Sequence, residues 1–186
     1  MNSLIEVVTH PYLVLNRIAE TLYRDKGNAI HQRLRSRVKG RHRFTMEEYQ
    51  TLRRVLADMS GRFAYIASKL ETAQQAPGME APDWRRLLQS RWINTSHLLE
   101  AVGARYGLNY LQVYDRLRTR PPLPEGFVPA LIAEYRRFAA WIDTQLEQAK
   151  AERKDYGFSQ GRGKLGDRSR KTGVGRREKK DKQQHT

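Results

Sequence analysis

Three observations make this 186-residue chain an all-α protein. Apolar residues recur every three or four positions over long stretches, capping residues stand where those stretches begin, and prolines and glycines stand where they end.

From the N-terminus, Ser3 to His10 suits a short helix. The fixed φ of Pro11 suits the first position of a better one, whose buried stripe is Leu15, Ile18 and Leu22. That helix is expected to end near Gly27, with Asn28 capping a segment in which Ile30, Leu34 and Val38 are spaced by four. Only a narrow apolar seam remains there. Its other faces carry Arg33, Arg35, Arg37, Lys39, Arg41 and Arg43, with no acid between Asp25 and Glu47. So dense a cationic stretch can track a phosphate backbone, the plainer alternative being a solvated helix face.

Thr45 and Glu48 have the spacing of a capping box, so a long helix should begin at Met46. Tyr49, Leu52, Val55, Leu56, Met59, Phe63, Ile66 and Leu70 hold helical period to about Thr72, which makes this the core helix of the N-terminal half. Gly61 within it reads as a close packing contact or a kink. The prolines and glycine around residues 76–82 mark a linker between helical regions 1–75 and 83–154. After it, Asp83 can cap a support helix holding Trp84, Leu87, Leu88 and Trp92, and Thr95 or Ser96 can cap the next.

The stretch from Leu98 to Arg118 reads as two short helices folded about a glycine. Leu98, Leu99, Val102 and Tyr106 keep helical spacing, Gly107 can take positive φ, and Asn109 is a good N-cap for a helix buried through Val113 and Leu117. With the small residue Gly103 four before the turn glycine and Val113 six after it, the stretch resembles the helix-turn-helix superfamily of DNA-binding domains. The resemblance implies that the second helix enters the major groove and that Asn109, Tyr110, Gln112 and Tyr114 touch base edges. Arg118, which follows on the same helix, is a candidate phosphate contact.

Beyond Arg118 the run RTRPPLPEG must leave helix, and a final helix from about Pro129 to Lys154 carries Leu131, Ile132, Tyr135, Phe138, Ile142, Leu146 and Ala149 on one face. That face is wide enough to pack on its own domain or on a second copy, so a homodimer is compatible with it. Residues 155–186 have ten Lys or Arg against four acids and almost no aliphatics, and read as a disordered basic tail. Arg162, Lys164, Arg168, Arg170, Lys171, Arg176, Arg177, Lys179 and Lys180 are its candidate phosphate contacts.

Thirty-five Lys plus Arg against twenty Asp plus Glu give a net charge of +15, and the pI is near 10.4. An anionic partner is the first physical expectation. No cysteine is present, the five histidines show no ligand spacing, and no serine lies in a nucleophile elbow, so no metal, cofactor or enzyme activity is expected. Gly161 to Gly166 matches GxGxxG but has no strand before it and no apolar helix after it. Without a secretory leader or a long apolar run, the expectation is a cytoplasmic protein with no membrane partner. The reading that follows is a double-stranded DNA-binding regulator or accessory protein. Its alternatives are an RNA-binding protein or RNA chaperone and a helical protein-interaction adaptor.

Overall fold

The capping box at Thr45 is formed. The Glu48 backbone N–H donates to Thr45 Oγ1 at 3.1 Å, and the Thr45 N–H donates to Glu48 Oε2 at 2.8 Å. These bonds satisfy donors that a helix start leaves open, and the helix runs from Met46 to Gln75. The computed structural model describes residues 3–75, 84–119 and 123–155. Among them the fold is all-α and contains no strand. In chain order the helices are α1 (Ser3–Val8), α2 (Leu15–Tyr23), α3 (Asn28–Val38), α4 (Met46–Gln75), α5 (Trp84–Leu88), α6 (Thr95–Ala104), α7 (Tyr110–Thr119) and α8 (Phe127–Asp155).

Helices α4 and α8 lie side by side and run antiparallel. Tyr49 Oη donates to the Ala149 carbonyl at 2.7 Å, Ser60 Oγ to the Ala139 carbonyl at 3.1 Å, and Arg136 pairs with Glu71 at 2.5 Å. Phe63, Tyr135 and Phe138 meet between them, with ring centroids 5.5 Å and 4.7 Å apart. One apolar cluster contains these residues together with Leu4, Ile18, Leu34, Leu98 and Val113, so the described parts of regions 1–75 and 83–154 share a core. The linker 76–82 and the tail from residue 156 lie outside the described residues.

The elements come in two successive sets of the same order. A short helix, an extended residue, two helices and a long helix appear as α1, Leu13, α2, α3, α4 and again as α5, Ile93, α6, α7, α8. Leu13 and Ile93 form an isolated antiparallel bridge, in which the Val14 N–H donates to the Trp92 carbonyl at 3.0 Å and the Asn94 N–H to the Tyr12 carbonyl at 2.8 Å. The sets also pack reciprocally: α2 rests on α4 as α6 rests on α8, while α1 contacts α8 and α5 contacts α4.

This bridge displaces two expected helix boundaries. Pro11 does not open a helix, because residues 11–14 form a turn and the bridge, and α2 starts at Leu15. Trp92 is likewise buried beyond the end of α5 instead of within it. The last helix begins at Phe127, two residues before Pro129, which sits in the first turn, where a missing N–H leaves no bond unmade. Gly61 is exposed, with nothing within 4 Å of where a Cβ would stand, so it is not a close packing contact.

Candidate nucleic-acid interface

The turn between α6 and α7 is built from backbone bonds around two glycines. The Leu108 N–H donates to the Gly103 carbonyl at 3.0 Å and the Gly107 N–H to the Ala104 carbonyl at 3.2 Å, with Gly107 at φ +67°. This is the Schellman pattern, which needs a left-handed residue at the position of Gly107. It turns the chain sharply enough that Gly103 is buried against the start of α7.

The next four residues cap α7. Asn109 Oδ1 accepts from the Gln112 N–H and Gln112 Oε1 accepts from the Asn109 N–H, both at 2.9 Å. Two candidate base-contacting side chains are thereby engaged with each other at the helix N-terminus. Tyr110 and Tyr114 are half-buried, with rings 5.8 Å apart, and line an open cavity of about 320 Å³ with Leu88, Ser90, Ile93 and Leu99. Outward on α7 stand Leu111, which is 67% exposed, with Gln112 and Asp115.

The basic stretch divides into two groups. Glu48 is buried at the start of α4 and takes two of the six cations: Arg33 Nη2 donates to its Oε1 at 2.6 Å, and Arg37 Nη2 to the same oxygen at 3.4 Å. The Arg33 guanidinium also lies 4.4 Å from the centre of the Tyr23 ring. Burial pushes the Glu48 carboxyl up, but the Thr45 N–H and the two guanidiniums outweigh it and hold the group below its ordinary value. Although the intervening sequence has no acid, the fold therefore supplies one. Arg35, Lys39, Arg41 and Arg43 remain exposed and form no ion pair with any described residue. The side chain of Arg118 and the tail cations from Arg162 to Lys180 lie outside the described residues.

A second carboxylate went unnoticed in the sequence. Glu134, on α8, is buried and accepts from Tyr12 Oη at 2.9 Å, Arg105 Nη2 at 2.7 Å and Arg137 Nη2 at 2.5 Å. Burial pushes its carboxyl up, yet these three donors together lower it to about 2; burial and the same contact raise the Tyr12 hydroxyl to about 12. Tyr12 and Arg105 reach Glu134 from outside α8 and Arg137 reaches it from the same helix, so the cluster ties α8 to the rest of the chain. Among the described residues no group of three His, Asp or Glu could hold a metal ion, and no helix is long and apolar enough to cross a membrane. No protein-family model, curated protein or solved structure matches the chain.

Proposed function

We propose that this protein binds double-stranded DNA as a regulator or accessory factor, through a helix-turn-helix-like unit and basic segments. The observation that carries the reading is the group Arg35, Lys39, Arg41 and Arg43: four exposed cations within nine residues, none paired with a described acid. Duplex DNA carries a charge about every 1.7 Å, so such a group gains affinity by releasing counterions. The glycine-turned pair α6–α7 supports the reading by its local geometry, and the tail cations would add a sequence-independent contribution.

The engagement of Asn109 with Gln112 supports a second reading, RNA binding, in which the cations do the same work and α6–α7 is scaffold. One experiment separates the two: titration of the full chain against a random DNA duplex, a duplex selected from a random pool, and a structured RNA, all at one salt concentration. The expected result is tighter binding to a duplex than to the RNA, with affinity falling steeply as salt rises. Tighter binding to the RNA would move the function to the second reading, and no binding to either polymer would overturn both.

A further inference from the structure

We infer that α3, rather than α7, is the helix that faces the duplex; the inference rests on the duplex-binding reading above. It starts from the two successive sets of elements, which match in order and in burial at corresponding positions. Residues 80 apart share the same burial: Tyr12 and Leu13 with Trp92 and Ile93, then Ile18 and Ala19 with Leu98 and Leu99. Gly27 and Gly107, also 80 apart, both lie between the paired helices at positive φ, although the left-handed residue that ends α2 is Arg24 and Gly27 precedes α3. Along the long helices the match continues 79 apart, as in Leu52 with Leu131, Met59 with Phe138 and Phe63 with Ile142.

Two contacts join residues to their own counterparts. They are the Leu13–Ile93 bridge and the Ser60–Ala139 hydrogen bond. An antiparallel arrangement that pairs equivalent residues in this way has an approximate two-fold axis passing by both points. Helix α3 therefore holds in the first set the place that α7 holds in the second, each as the partner of the helix before its glycine turn.

The two equivalent helices present opposite chemistry. Among the described side chains of α7 the exposed ones are Leu111, Gln112 and Asp115, an apolar side chain, a capping amide and an acid, which bring no positive charge to a polyanion, and Arg116 is half-buried. The exposed residues of α3 and its C-terminal extension include Gln32, Arg33 and His42 and the four unpaired cations Arg35, Lys39, Arg41 and Arg43. Glu48 holds Arg33 and Arg37 against the start of α4 and so fixes the roll of α3, leaving the other cations outward. At 11 residues α3 is about 16 Å long, enough to lie across several phosphates of one strand. Charge complementarity thus selects the first copy of the duplicated unit.

The test compares neutralised α3 with a control on α7. Arg35→Gln with Lys39→Gln removes two exposed cations, and Leu111→Glu adds a charge to the exposed face of α7; circular dichroism and thermal melting confirm that each variant folds. With a random duplex, the double variant should bind at least tenfold more weakly at fixed salt. Its slope of log affinity against log salt should become shallower by about 2, from 0.9 per phosphate contact. Leu111→Glu should stay within about twofold of the parent. If the α3 variant unfolds, Arg41→Gln with Arg43→Gln, beyond the helix end, carries the same expectation. Duplex binding by the parent that is indifferent to both α3 variants, or that is lost in Leu111→Glu, overturns the assignment to α3 alone. Failure of the parent to bind duplex overturns the functional reading and this inference with it.

Discussion

A methyl group added at Gly103 would lie 2.8 Å from the Leu108 carbonyl oxygen and 2.8 Å from Val113 Cγ2, closer than Cβ atoms come in folded proteins. One of those neighbours is backbone and the other is a β-branched side chain in the core, so neither yields readily. In the sequence Gly103 reads as a small residue four before a turn glycine. What the sequence does not show is the closeness of α7, because that distance is set by packing. Gly61 shows the converse, being helical and exposed with open space around it. Helix propensity alone would have Gly→Ala stabilise at both sites by roughly 0.5–1 kcal/mol. The expected outcome is that Gly61→Ala follows propensity, while Gly103→Ala reverses sign and destabilises by about 1–3 kcal/mol through overpacking. Urea unfolding of the two variants beside the parent is the measurement. A Gly103→Ala protein as stable as the parent would mean that α6 and α7 do not approach as closely as this.

At the scale of elements, what was legible was what is local. The Thr45–Glu48 box, the Asn109 cap and the turn at Gly107 each lie within a few residues of chain, and each stands where its residue types place it. The start of α2, the end of α5 and the burial of Trp92 depend instead on backbone pairing across 80 residues, which leaves no periodic trace in either segment. Pairing of Arg33 and Arg37 with Glu48 was hidden for a similar reason, since it requires α3 to fold back on the start of α4. Asn109 supplies a test of what the α7 cap does. Asn109→Ala should destabilise the protein by about 1 kcal/mol and Asn109→Asp by much less, because aspartate caps as well as asparagine. If Asn109 serves only the cap, random and selected duplexes should respond equally to Asn109→Ala in binding titrations. A loss confined to the selected duplex would return Asn109 to direct base contact.

Across the whole molecule, the approximate two-fold is hard to see in the sequence because some equivalent positions share burial without sharing chemistry. Val55 corresponds to Glu134 and Ile66 to Gln145, all four buried, so at these positions residue type hides the equivalence. Glu134 is the most consequential of these departures. Its carboxylate joins α8 to Tyr12, between α1 and α2, and to Arg105, just beyond α6, and so ties both sets of elements together. With its folded pKa lowered from 4.5 to about 2, the stabilisation it provides is fully present above the ordinary value and is lost as pH falls from about 4.5 through 2. A shift of that size corresponds to stabilisation on the order of 3 kcal/mol. Glu48 is lowered as well, so the parent's acid sensitivity has more than one source, and a variant at residue 134 is needed to isolate this one. Urea unfolding of the parent and of Glu134→Gln should be followed from pH 7 down to pH 3. At neutral pH the variant should be the less stable, because the neutral amide leaves two guanidiniums without their counter-charge. As pH falls below about 4.5 the carboxyl takes up its proton in the unfolded parent before it does so in the folded one, so the gap between the two proteins should narrow. A gap that stayed constant over this range would show that an ionised Glu134 is not what holds α8 to the two turns.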